Sequence, residues 1–504
     1  MAARQIPATG AVRPGMHGGA FKPLGDADIE KIHGAVLDIL ERTGVSGIWP
    51  QYHDMFLSAG AWLNDDGRIC LPGGLIEDTI RLAAKTVTIH GQDPDHTIEF
   101  GGDRVHLCTG GTAVFVLDPE AGTARESTLA DVYDVTRMAD ALDNIHCCNR
   151  QLVSRDLATV DEIDINTAYV IASGTRKPFG AGVTRAANAE KVAAMMDIIL
   201  GGDGAYRKAP ICWSGGAFLI SPLRAPEDDQ DKLEAIIRAG FPIHQVMVPQ
   251  AGTSAPASLA GALTQAVAES LFLLVWVNLI SPGHPFIVGC WPFVSDLRTG
   301  AFSGGGGEQA VLMAASAQMM NYYGLPASSA AGMSDSKTPD IQAGYEKAMT
   351  VTTAALGGST LIYAYPGILA GLMGLAFGQM VIDNEMFGQA LRVLRGIEVT
   401  DEYVAVDVIG EAAVDPGHFM AHPDTLALME TEFLYPRLGD RASLNEWLET
   451  PAPPIADRAW EAASKILGEH FPGHILATVD AKIRSAFDIR IPRERMLSGG
   501  WKQE

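Results

Sequence analysis

Cysteine is scarce: six residues (Cys70, Cys108, Cys147, Cys148, Cys212 and Cys290) in a chain of 504, none in a C-x-x-C pair. So sparse a set excludes a disulfide scaffold and suits a reducing cytoplasm. Basic charge is short as well, with 37 Lys and Arg against 60 Asp and Glu and a formal charge of −23. A polyanion would meet net repulsion instead of a counterion-release gain, which makes nucleic acid a poor partner. No uninterrupted apolar run reaches membrane length, since Gln265, Glu269 and Asn278 break residues 259–280 and Pro366, Gly371, Gly374 and Gln379 break 361–382. Polar groups at bilayer depth are costly, so both stretches are expected in a buried core, not in a membrane. The N-terminus lacks the apolar segment of a signal peptide and reads as a flexible arm over residues 1–25.

Several chemical signatures are missing too. The 13 histidines are scattered without an H-E-x-x-H or H-x-H pair, and adjacent Cys147 and Cys148 would face opposite sides of a strand, so no metal site is expected. No G-x-S-x-G elbow and neither nucleotide fingerprint, G-x-G-x-x-G or G-x-x-x-x-G-K-[ST], occurs.

What is present is a globular composition, 47 % hydrophobic and 19 % charged. Ile29, Ile32, Val36, Ile39 and Leu40 fall on one helical face ahead of Gly44, a second helix follows near Gly74, and short β segments precede residue 110. Residues 26–109 thus read as an α+β cap. From Gly110 short apolar strands alternate with helices, and eight candidates recur: 113–117, 145–152, 178–183, 210–215, 242–248, 285–291, 327–332 and 361–365. Eight strand–helix units predict an α/β fold, a (β/α)₈ TIM barrel over residues 110–370, with an open doubly wound sheet as the alternative. Capping signals agree: Thr128-Leu-Ala-Asp131 resembles a capping box and Gly201-Gly202 stops a helix. Residues 371–504 read as a helical extension packed on the barrel.

Barrel chemistry sits at the carboxyl ends of the strands. Those ends carry Phe115, Arg150, Trp213, Phe218, Gln250, Trp291, Phe293, Met333 to Lys337, Tyr363 and Tyr365, an aromatic set. Ser303-Gly-Gly-Gly-Gly-Glu308 precedes a helix and is either a flexible turn or a stretch where bare backbone lets a large group approach. The segment Ala331 to Lys347 is the most polar strand end.

Gly332-Met-Ser-Asp-Ser-Lys-Thr-Pro-Asp-Ile-Gln-Ala-Gly-Tyr-Glu-Lys347, together with Gly300 to Glu308, Thr253 to Gly261 and Gly110 to Phe115, closely resembles the trimethylamine methyltransferase (MttB) family over roughly residues 21–474. The resemblance implies a TIM-barrel methyltransferase that moves a methyl group from an amine to the cobalt of a corrinoid (cobalamin) held on a separate protein, which fits the cytoplasmic location read from the cysteines. Archaeal trimethylamine enzymes of the family carry pyrrolysine in the segment corresponding to 331–334, aligned here with Met333. An ordinary residue there points to the non-pyrrolysine branch, which resembles glycine betaine:corrinoid methyltransferase.

On that reading Met333 and Asp335 are the catalytic candidates and Gly304, Gly305, Gly306 and Gly307 would face the corrinoid. A trimethylammonium head has no N–H to donate, so aromatic faces are expected to hold it, with Trp291, Phe293, Tyr363 and Tyr365 preferred and Phe115 and Trp213 in reserve. A carboxylate arm would want Gln250, Ser336 or Lys337, with Arg150 less favoured. Asp335 would lie near the cation or orient Lys337. The same chemistry on carnitine, γ-butyrobetaine, proline betaine or trimethylamine stays open, as does a betaine-binding protein without turnover. An acidic surface is compatible with a homodimer.

Overall fold

The computed structural model describes residues 10–119, 121–414 and 418–501. Eight parallel strands close on themselves. They are β1 (Arg104–Cys108), β2 (the pair Cys147 and Cys148), β3 (Phe179–Gly180), β4 (Cys212–Gly216), β5 (Ile243–Met247), β6 (Phe286–Cys290), β7 (Ala327–Ala330) and β8 (Leu361–Tyr363). β5 and β6 pair through five residues, and β8 returns to β1 with Tyr363 opposite Cys108. The ring closes through single bridges, Cys108 to Cys147 and Cys148 to Phe179, both parallel.

Each strand is followed by a helix on the outside: α1 (Leu129–Ala141), α2 (Val160–Gly174), α3 (Ala189–Leu200), α4 (Asp231–Arg238), α5 (Leu259–Ile280), α6 (Gly307–Tyr322), α7 (Ile341–Leu356) and α8 (Phe377–Arg395). This is the expected (β/α)₈ barrel. Local chemistry starts and stops its helices. Thr128 and Asp131 form the capping box anticipated for α1, Asp340 accepts the Ala343 amide at 2.9 Å ahead of α7, and Gly201, at φ +89°, ends α3.

One strand assignment changes. Residues 113–117 are not the first stave: Phe115–Asp118 folds back on Thr123–Glu126 as an antiparallel hairpin that also pairs with Gly374–Leu375. The first stave is Arg104–Cys108, upstream of the expected start at 110, and the eighth helix runs to Arg395, past the expected end at 370. An apolar alternation looks the same in a hairpin and in a barrel stave, and only the partner strand separates them.

The arm expected over residues 1–25 has its first nine residues outside those described. From there on it is docked: Met16 and His17 pair with Val105 and Arg104, and the Phe21 amide donates to Leu356 O at 3.0 Å. Asp26–Arg42 and Pro50–Ser58 lie against α5, where Phe56 stacks on Phe272 and Tyr52 meets Trp276 edge-on. This second layer explains why α5 is apolar all round. It is long and apolar enough to cross a membrane, yet 83 % of its most apolar window is buried inside the fold. Phe100, fully buried, touches the rings of His106 and Trp213 and plugs the amino end of the barrel.

Candidate active site

At the carboxyl end of the barrel lies a cavity of about 270 Å³. That is just below the roughly 300–1,000 Å³ of sites for drug-sized ligands, so it suits a small molecule. Trp213 of β4, Trp291 and Phe293 after β6, and Tyr363 and Tyr365 at the end of β8 line it together. Inward positions of a strand recur every second residue, which is why 291 with 293 and 363 with 365 share the wall. The Trp291 and Tyr363 centroids are 5.2 Å apart at 59°, Trp291 and Phe293 6.4 Å, and Tyr363 and Tyr365 6.3 Å.

The rings are fixed from behind. Trp291 Nε1 donates to Ser328 O at 2.9 Å and Trp213 Nε1 to the Tyr363 hydroxyl at 3.3 Å. A Cβ at Gly110 would stand 2.5 Å from the Tyr363 ring, so only glycine leaves that ring its place. Tyr365 adopts φ +46°, unusual for a bulky residue and costly by about 1–2 kcal/mol. Its carbonyl accepts from Lys347 Nζ at 3.0 Å, while Gln151 Nε2 holds Pro366 O at 2.6 Å and Asp383 accepts the Gly367 amide at 2.7 Å. The surroundings over-determine the strained turn.

His244, Asn149, Thr112, Val246 and Val248 also line the cavity and were not anticipated. Strand parity could have found His244, which alternates with Val246 and Val248 on β5 and its end. Burial pushes its pKa down to about 3, and it shares a 2.9 Å hydrogen bond with Ser328 Oγ. Burial also drives the Tyr363 and Tyr365 hydroxyls up. Among the described residues the wall carries no Asp or Glu, and Arg150 is its one formal charge.

The remaining expected residues stand off this wall. Met333 is fully buried, with Gly304 against it: a Cβ there would lie 2.7 Å from Met333 Cβ and 3.0 Å from Phe302, whose ring is edge-on to Phe293. Gly305 is similarly closed in by Glu346, while Gly306 caps α6 and Gly307 begins it. Asp335 is half-buried; burial raises its pKa against the opposing pull of Ser303. Glu346 holds this loop by accepting from Ser334 Oγ at 2.6 Å and the Asp335 amide at 2.9 Å. Ser336 Oγ donates to Asp340 at 2.8 Å, and exposed Lys337 donates to Asp335 O at 2.7 Å. Gln250 pairs with Phe293 along the backbone, its Oε1 taking the Thr253 hydroxyl at 3.3 Å. Phe115 sits in the hairpin sheet. A second cavity, about 480 Å³, lies beside α1 and the C-terminal helix Ile455–Glu469, outside the ring of strand ends.

A family model described as trimethylamine methyltransferase (MTTB) matches residues 3–494. The chain belongs to that family. Among its relatives, trimethylamine methyltransferase MttB of Desulfitobacterium hafniense (strain DSM 10664 / DCB-2) is 31 % identical, over 91 % of this chain and 92 % of that one. The glycine betaine methyltransferase of Desulfitobacterium hafniense (strain Y51) is 29 % identical, over 92 % and 96 %. The solved monomethylamine methyltransferase of Methanosarcina barkeri covers 88 % of this chain and 93 % of its own at TM-score 0.48 and 13 % identity. Membership makes this protein a methyltransferase that acts within the methylamine class.

Proposed function

We propose that this methyltransferase takes a methyl group from a quaternary amine, glycine betaine, and passes it to the reduced cobalt of a corrinoid carried on a separate protein, leaving dimethylglycine. The observation that carries the reading is the cavity wall: five aromatic rings at the barrel mouth and no group that exchanges a proton near neutral pH. Aromatic quadrupoles attract a methylated ammonium at about 0.5–2 kcal/mol per face. His244 stays neutral and the tyrosines stay protonated, so the wall offers no acid near pH 7. A quaternary nitrogen needs none, because it keeps the C–N electron pair and departs as a neutral amine. A tertiary amine would depart as an amide anion unless protonated.

The corrinoid is the methyl acceptor, and its cobalt supplies the electron pair for the new bond to carbon. A large flat group must come close, and the rim is open for it: a Cβ built on Gly182 or Gly216 meets nothing within 4 Å. Gly304 and Gly305 are packed from behind, so the low side of the rim lies at β3 and β4. The wall residues hold the ammonium, exclude water and leave one methyl towards that opening. The ordinary residue at Met333 and the betaine enzyme among the relatives support the choice of substrate.

Anaerobic incubation of the protein with Co(I) cobalamin and glycine betaine tests this. Methyl-Co(III) absorbance and stoichiometric dimethylglycine are expected. No spectral change with any quaternary amine refutes the reading, and transfer from trimethylamine alone would reassign the substrate.

A further inference from the structure

We propose that Arg150 is the docking group for an anionic arm of the substrate, so that the cavity is built for ammonium carboxylates and discriminates against ammonium ions without a carboxylate. The inference deepens the function proposed above and rests on it for the methyl transfer, though not for binding.

Arg150 follows β2 and lines the cavity, partly buried. Among the described residues no carboxylate lies within 4 Å of its guanidinium and no hydrogen bond is made by its side chain. A guanidinium has five donors in a planar fork that matches a carboxylate, and it stays charged when partly desolvated. Leaving that fork empty at a cavity wall, in a chain of charge −23, is unusual unless a ligand fills it. Burial lowers the pKa of the guanidinium, and the carboxylate of Asp164, on α2, opposes that shift at longer range. Asp164 is fully buried, with Oδ2 held by the Thr184 amide at 3.0 Å and Asn188 Nδ2 at 3.0 Å and Oδ1 without a hydrogen-bond partner among the described residues, and it makes no ion pair with the guanidinium.

Topology separates the two ends of a ligand. In a closed ring of eight strands, β2 stands opposite β6. The strand end that carries Arg150 therefore lies across the mouth from the one that carries Trp291 and Phe293, with Trp213 of β4 and Tyr363 and Tyr365 of β8 on the flanks. The cation faces come from three even strands and the anion group from the fourth, in keeping with barrels whose alternate strands supply one layer. An ammonium ion lacking an acid arm would meet the aromatic faces but also one like charge and no carboxylate. A zwitterion reverses the sign of that second interaction, so the carboxylate anchors the molecule and the trimethylammonium head is carried to the rings.

Titration calorimetry on the full chain, with no corrinoid present, provides the test. The probes are glycine betaine, γ-butyrobetaine, choline and tetramethylammonium. Wild-type protein is expected to bind one of the two betaines at least 10-fold more tightly than choline. Arg150→Gln should weaken that betaine by roughly 10- to 100-fold, the worth of charge-assisted hydrogen bonds, and leave choline unchanged or improved. Arg150→Lys should fall between the two. Equal losses for betaine and choline in Arg150→Gln, or choline binding as tightly as both betaines in the wild type, overturn the proposal. If Arg150→Gln does not fold, the wild-type ligand ranking and Arg150→Lys decide. Betaine-selective binding lost in Arg150→Gln with no methyl transfer to Co(I) cobalamin would leave Arg150 standing and refute the methyl-transfer reading. Methyl transfer from betaine that survives Arg150→Gln with unchanged KM would do the reverse.

Discussion

Trp291 is held by one indole hydrogen bond and faces Tyr363 and Phe293, so its replacement isolates the contribution of a ring face. Trp291→Leu should raise KM for a quaternary amine by roughly 2- to 30-fold, and Trp291→Phe by less, with kcat little changed in either. Steady-state kinetics with betaine checks this; equal KM for Leu and Trp would remove the ring from the binding surface. The buried histidines set an acid limit. Burial holds His106 at about 4 and His244 at about 3, below the ordinary value near 6.5. The unfolded chain then binds more protons below pH 6.5, so stability is complete above that pH and falls as acid is added. Each such histidine costs about 1.4 kcal/mol at pH 5.5. Melting temperature should therefore be flat from pH 8 to 7 and drop below 6.5, with a shallower drop in His244→Gln.

Loops at the ends of β7 and β8 depend on one buried ion pair between α7 and α8. Lys347 Nζ reaches Asp383 at 3.0 Å, Gly332 O at 2.7 Å and Tyr365 O, while Asp383 also takes Gln379 Nε2 at 2.7 Å. Burial presses Lys347 towards neutrality and Asp383 towards protonation, and each opposes the shift in the other. Lys347→Met strands a carboxylate and releases the strained Tyr365 turn, a loss of about 3–5 kcal/mol in urea denaturation. The double variant Lys347→Met/Asp383→Asn should recover part of that stability. KM for betaine should remain raised in the double variant, because the Tyr365 carbonyl has then lost its hydrogen bond from Lys347.

Across the whole molecule the barrel is uneven. β5 and β6 pair over five residues, whereas β2 is held by single bridges on both sides. Opening free energy follows local pairing and packing, so amide exchange should begin at the β2 seam. The Cys148 and Gly180 amides, which donate across that seam at 2.9 Å, are expected to exchange well before those of Gln245 and Val288. Equal protection at both places would show a uniformly cooperative ring.

The sequence by itself determined the barrel and the family, because strand period, helix caps and contiguous motifs are local and survive without neighbours. It also picked out Trp213, Trp291, Phe293, Tyr363 and Tyr365, since alternation and strand-end position are linear properties. Only tertiary structure decided that Arg104–Cys108 and not residues 113–117 is the first stave, as pairing with β8 spans the length of the barrel. Tertiary structure likewise turned Ser336, Lys337 and Gly304 to loop packing and left Arg150 at the cavity wall with no hydrogen bond or ion pair among the described residues. Which charge finds a counter-charge depends on closure of the ring, and closure joins residues that are far apart in the chain.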